Sequence, residues 1–300
     1  MAKKASKYTF KNFKEVSRLI KLRQYDKIMP YLYDNTDLSF HQSPSSYYAN
    51  ARKFQMFLKT MVPVYGVFVE GNSKLPFLSF SSLPGIHCPG AGACLDFCYS
   101  FKGWRYPAVF FRQAQNMVLI QENFTAIEAA LDKQLKRRKY SKQDKVDIRL
   151  YVDGDFNSFN TLINWMECLK SRAKLKAYGY SKSLHYFKRY AAEGLDFPSN
   201  YVLNLSSGGK YTNLYSDMRT LPVTRGEFIA VDTNAVSSAV DRTKAEKRFL
   251  YQWAKAQGYK QAFVCPGDCG DCAPTRDRKN RHACGDKGFF DNRPILIPVH

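Results

Sequence analysis

Seven of the eight cysteines in this chain fall into two short groups, Cys88, Cys94 and Cys98 near the start and Cys265, Cys269, Cys272 and Cys284 near the end. Cys168 stands apart. Thiols clustered this closely in a reducing compartment bind metal or carry redox chemistry more often than they form structural disulfides. Two thiolate sites therefore bracket one catalytic or binding domain, and the fold has to present both loops.

The first group lies in His87-Cys88-Pro89-Gly90-Ala91-Gly92-Ala93-Cys94-Leu95-Asp96-Phe97-Cys98-Tyr99, a C-x5-C-x3-C spacing. Three thiolates do not close a tetrahedral zinc site. Either His87 or a distant residue completes one, or the three hold a [4Fe-4S] cluster and leave one iron open to a substrate or to S-adenosylmethionine. The small residues 90–93 suit a loop wrapped closely around a cluster. The second group reads C-x3-C-x2-C-x11-C. Four thiolates hold structural zinc or a second, fully ligated iron–sulfur cluster, and His282 offers a replacement for one of them.

The formal charge of +20 favours a polyanionic partner, DNA or RNA, over a neutral one. An apolar and aromatic share of 45% supports a sizeable core. No apolar run approaches the roughly 20 residues of a membrane span, and the basic start Met1-Ala2-Lys3-Lys4 leads into no apolar signal core. The expectation is a cytoplasmic protein with no membrane partner.

Residues 1–62 are expected to form a basic helical extension. Phe10, Phe13, Val16, Leu19 and Ile20 recur at helical spacing, and further helices are expected over 25–33 and 47–61. This extension is either a nucleic-acid-binding arm or a cap packed on the main domain. Residues 63–300 form an α/β metal-binding domain with cysteine loops at 88–98 and 265–284. Strands are expected at 64–69, 77–81, 147–152, 174–180, 201–205, 228–232 and 261–264, with helices over 108–139, 158–171 and 185–192. Alternating strands and helices predict a parallel sheet covered by helices, as a full or partial (β/α) barrel or, second, a doubly wound open sheet. In either, polar residues after the strand ends form the site.

Those strand ends carry the remaining candidates. Asp153 and Asp155 can move protons or hold an amino group or ribose, although Asp153-Gly154-Asp155-Phe156 is equally an Asx turn into a helix. Gly154, Tyr178, Ser181 and Ser206 are the candidate cofactor-binding residues, with Lys182 and the Ser206-Ser207-Gly208-Gly209 loop beside them. Trp104, Arg105, Tyr106, Phe110, Phe111 and Arg112 interleave rings and cations, which suits either nucleotide stacking or core packing.

Gly71-Asn72-Ser73-Lys74-Leu75, Cys88-Pro89-Gly90 with Cys94 and Cys98-Tyr99, Asp153-Gly154-Asp155-Phe156, Tyr178-Gly179-Tyr180-Ser181-Lys182-Ser183, and Cys265-Pro266 with Cys269-Gly270-Asp271-Cys272 occur in that order. The combination resembles the phage and plasmid gene-product-88 family over roughly residues 65–300. This resemblance implies a mobile-element origin, and hence the host cytoplasm, and little chemistry. A more distant likeness is to radical S-adenosylmethionine barrels, in which a cysteine loop after an early strand precedes a Gly/acid motif on the next. It implies Cys88, Cys94 and Cys98 as cluster ligands, with Asp153-Gly154-Asp155 toward the methionine amino group. The chain departs from that pattern in both spacing and motif. The C-x3-C-x2-C spacing usual for such catalytic loops occurs here only after the last expected strand. Two functions follow: an iron–sulfur enzyme of radical S-adenosylmethionine type acting on nucleic acid or a nucleotide, or a zinc-stabilised, replication-associated nucleic-acid-binding protein without redox chemistry.

Overall fold

The computed structural model describes residues 15–16, 18–20, 22–35, 44–71, 75–267, 269, 272, 284–285 and 293–299. Among these residues eight strands form one sheet: β1 (Val69–Glu70), β2 (Leu78–Ser79), β3 (Val146–Leu150), β4 (Leu175–Ser181), β5 (Tyr201–Ser206), β6 (Thr224–Asp232), β7 (Phe263–Val264) and β8 (Ile295–Val299). Their order is β1-β2-β3-β4-β5-β6-β8-β7. β1 runs antiparallel to β2, and every other pairing is parallel. The helices are α1 (Ile28–Asn35), α2 (Pro44–Thr60), α3 (Pro107–Glu122), α4 (Phe124–Leu135), α5 (Arg138–Ser141), α6 (Phe159–Lys170), α7 (Leu184–Ala192), α8 (Tyr215–Arg219) and α9 (Arg242–Ala256).

The sheet among the described residues is open, with β1 and β7 as its edges, so the full barrel does not form. Nor is it doubly wound. From β2 to β6 the strands follow in chain order, and right-handed crossovers between successive neighbours deliver every helix to the same face. Side chains alternate across the strands, and their contacts separate the two faces. Ile148, Leu150, Ala177, Leu203 and Leu205 join Phe110, Met117, Leu162, Trp165 and Phe187 in the helix-covered core. The intervening Tyr178 and Val202 turn the other way and pack with Phe77, Ile295, Cys272 and Cys284. Among the described residues, helices cover one face, and the second cysteine group lies on the other.

Local sequence sets the helix starts. Ser158 caps α6 by accepting from Thr161 N at 3.1 Å, and Asn123 caps α4 by accepting from Ala126 N at 3.3 Å. The Asn123 cap makes two helices of the stretch 108–139, where one or two were expected. The strand expected over 64–69 shortens to its last residue because Gln115 Oε1 takes the Val64 and Tyr65 N–H groups at 2.8 and 2.9 Å. The N-terminal helices share the main core: Val16, Leu19, Ile28, Phe54 and Phe57 are buried in it, and Phe54 meets Phe111 at 5.3 Å between ring centres. Residues 1–14, including the expected pattern at Phe10 and Phe13, lie outside the described part. No helix among the described residues is long and apolar enough to cross a membrane.

One polar side chain ties the C-terminal segment to the sheet. Buried Asn204, on β5, donates from Nδ2 to Cys284 O at 2.8 Å and to Gly179 O at 3.2 Å. Asn204→Ala leaves these buried carbonyls short of a partner and is expected to lower the unfolding free energy by about 1–3 kcal/mol, measured by urea denaturation.

Candidate functional site

The parallel strands all end on one edge, and the first cysteine loop is seated there. Asp155 builds that edge. It is buried, and its carboxylate accepts from Ser181 Oγ (2.8 Å), Lys182 N (2.8 Å), Ser183 N (3.1 Å) and Phe156 N (2.8 Å). The segment after β3 is thereby knotted to the segment after β4. Gly154 adopts φ +82°, and a Cβ there would meet Ser82 Oγ at 2.1 Å, so the turn also closes against the segment after β2.

The cysteine loop rests on this knot. Gly92 N and Cys94 N both donate to Gly208 O at 3.2 and 3.1 Å, Lys210 N donates to Gly90 O at 2.8 Å, and Ala91 bridges Gly209. A Cβ on Gly90 would lie 1.9 Å from Lys182 O, so only glycine allows this approach. Within the Ser206–Gly209 loop, the Gly208 carbonyl holds the cysteine loop. Ser206 Oγ is 2.6 Å from Lys182 Nζ.

Cys88, Cys94 and Cys98 are each half-buried. The Cys98 thiol is in electrostatic reach of both Cys88 and Cys94. Burial pushes the Cys88 thiol well up, and the Asp155 charge adds to this, opposed by the Gly85 N–H and Lys182. Burial also raises Cys98, with Cys94 and Asp153 contributing and Ser100 hydrogen bonds opposing. Burial thus favours the neutral thiol at Cys88 and Cys98; a bound cation reverses that balance by taking the thiolate forms. Among the described residues no three His, Cys, Asp or Glu side chains are close enough to hold a metal as they stand. The donor set itself fits a cluster: three soft thiols on one loop, glycines allowing close backbone approach, and partial exposure on one side.

Asp153 occupies the neighbouring position. Its carboxylate accepts from Gln113 Nε2 at 3.0 Å, and burial raises its pKa, offset by Ser100, Arg149, Ser81 and Arg112. Tyr99 OH reaches Val152 O at 3.2 Å. Both aspartates border the thiols, Asp155 beside Cys88 and Asp153 beside Cys98, but Asp155 has its acceptor capacity taken up by the strand-end segments. His87 is buried with Nε2 3.1 Å from Gln121 and Nδ1 without a hydrogen-bond partner among the described residues, and burial holds its pKa down to about 3. Trp104, Phe110 and Phe111 are buried in a chain of ring contacts and belong to the core.

The second cysteine group occupies a different place, the sheet face opposite the helices. Cys265 N donates to Leu296 O (2.8 Å), Cys272 N to Cys269 O (3.1 Å) and Gly267 N to Cys265 Sγ (3.4 Å). Burial pushes Cys284 up to about 12, with Cys265 and Cys272 adding, and Tyr180 and Arg225 opposing. Cys272 and Cys284 are buried. Tyr178, expected at a strand end, is instead inside this cluster, against Phe77 and Tyr180. His282 lies outside the described residues.

Arg149 connects the two groups. Its guanidinium donates to Cys269 Sγ at 3.7 Å and stacks over the Tyr180 ring at 4.6 Å, and it is in electrostatic reach of Tyr99 and Asp153 on the other side. Sequence reasoning did not single it out. The signal was present: Asp147 and Arg149 interrupt an otherwise apolar strand of a parallel sheet, where charge is unusual.

Residues 47–293 match the family described as Gene product 88. The chain belongs to that family. Comparison with curated proteins and with solved structures finds no match. The family match begins within α2 and takes in both cysteine groups and the Asp153–Asp155 turn of this gene product 88 member.

The two aspartates give a direct contrast. Asp155→Ala orphans four donors and is expected to destabilise the fold by at least about 3 kcal/mol, whereas Asp153→Asn keeps an acceptor for Gln113 and changes stability by under about 1.5 kcal/mol. Chemical denaturation of both variants reads the difference.

Proposed function

We propose that this gene product 88 protein is an iron–sulfur enzyme of radical S-adenosylmethionine-like type, carried by a phage or plasmid and acting on nucleic acid or a nucleotide. One observation carries the reading. The three-thiol loop sits on the C-terminal edge of a parallel sheet, the edge where open α/β folds place their ligands, with Asp153 beside it. The order of a short strand, cysteine loop, long helix, strand and acidic turn also follows the plan of those enzymes, with strands β2–β6 wound in one direction as in a partial barrel.

In this reading Cys88, Cys94 and Cys98 hold a [4Fe-4S] cluster. When bound, such a cluster supplies one electron to S-adenosylmethionine at its open iron. The chain's own residues do the rest. Gly90 and Gly92 let the loop lie flat on the strand-end segments, and Asp155 fixes those segments. Asp153 offers a carboxylate to an amino or hydroxyl group, and Arg149 and Lys182 balance anionic charge. The second group, with two of its four thiols buried against aromatic rings, suits a fully ligated centre. Zinc satisfies that site as well as iron does. Zinc at both sites, with the +20 charge, is the second reading: a nucleic-acid-binding protein of a mobile element without redox chemistry.

Purification without oxygen separates the two. The expected protein is brown, absorbs near about 400 nm and loses iron in Cys94→Ser while Cys272→Ser keeps the early cluster. A colourless protein containing only zinc would sink the first reading and leave the second.

A further inference from the structure

Helix α9 has two faces with unlike chemistry. Glu246, Leu250 and Ala254 are buried, and Leu250 and Ala254 pack with Ile229, Val231 and Leu296 of the sheet. The opposite face carries Lys244, Lys247, Arg248, Tyr251 and Lys255, all exposed, at spacings of three and four that bring them onto one stripe. Tyr251 is 44% exposed, and Arg293 is within electrostatic reach of it. The helix's own carboxylates are engaged elsewhere. Asp241 caps the N-terminus by accepting from Lys244 N at 3.0 Å, and buried Glu246 accepts from Arg242 Nε at 2.7 Å. Lys244 stands three and four residues from Lys247 and Arg248, a like-charge arrangement that works against the helix. Among the described residues no carboxylate pairs with this stripe, the pattern expected at a functional surface.

Charge and ring together select the partner. Cations spaced along about 17 Å of helix match a phosphate backbone, and an exposed ring between them offers a platform for a base. An anionic membrane fits poorly, because the helix's apolar face is already buried against the sheet and cannot insert.

We propose that the outward face of α9 binds single-stranded nucleic acid, with Lys244, Lys247, Arg248 and Lys255 on phosphates and Tyr251 stacking on a base. This deepens the nucleic-acid part of the proposed function and needs no metal. The test uses the full chain and a labelled oligothymidylate, followed by fluorescence anisotropy across a salt series. The triple variant Lys244→Gln/Arg248→Gln/Lys255→Gln is expected to lower the slope of log K against log salt by about 2. Tyr251→Ala is expected to weaken binding about 5- to 100-fold. A control that removes three exposed cations elsewhere, Lys136→Gln/Arg138→Gln/Lys142→Gln, is expected to change the slope by less. Equal effects of the two triple variants, or a triple variant that binds as the parent does, would overturn the site. Equal affinity for duplex of the same length with Tyr251→Ala neutral would overturn the single-strand assignment. Iron and zinc are measured on the same preparations, so failure of the stripe and failure of the metal reading are separate results.

Discussion

The buried carboxylate of Asp155 is the constraint on which the candidate site depends. Four donors from two strand-end segments converge on it. A buried carboxylate is tolerated only when hydrogen-bonded this fully, and once it is, the segments after β3 and β4 have one arrangement. The cysteine loop needs that surface. Gly90 packs against Lys182, whose own N–H is held by Asp155, and Gly92 and Cys94 hang from Gly208 one strand further along. The loop's position follows from backbone contacts, before any metal is considered.

The sheet's asymmetry explains why there are two thiol groups. Sequential strands with right-handed crossovers send all the helices to one face. Among the described residues the other face, with Tyr178, Val202 and Phe77, has no helical layer and packs with Cys265, Cys269, Cys272 and Cys284 of the second group. Asn204 fastens that segment through Cys284 O, and Arg149 reaches from the same face toward the first site. Cys88, Cys94 and Cys98 on the edge are all half-buried, whereas on the face Cys272 and Cys284 are buried and Cys265 and Cys269 half-buried.

Much of this was legible in the residues. Runs such as Val146–Leu150 and Tyr201–Ser206 announce buried strands, and the polar clusters after them mark the edge. Winding was not legible, because strand order depends on how crossovers pack rather than on any local pattern. Strand β8 escaped because Pro298 interrupts it, and α9 escaped because its apolar stripe is narrow beside a dense row of cations. The Asp153-Gly154-Asp155 turn left two roles open. Which carboxylate ties the loops depends on donors about 27 residues further along the chain, and those contacts are set by the register of β3 against β4.

In the proposed function the edge thiols hold a cluster with one position open beside Asp153. Electron paramagnetic resonance of the anaerobically reduced protein, recorded with and without added S-adenosylmethionine, tests it directly. The account predicts a cluster signal that changes shape on addition in the parent protein and is missing from Cys94→Ser. A signal that ignores S-adenosylmethionine, or one that survives in Cys94→Ser unchanged, would contradict it.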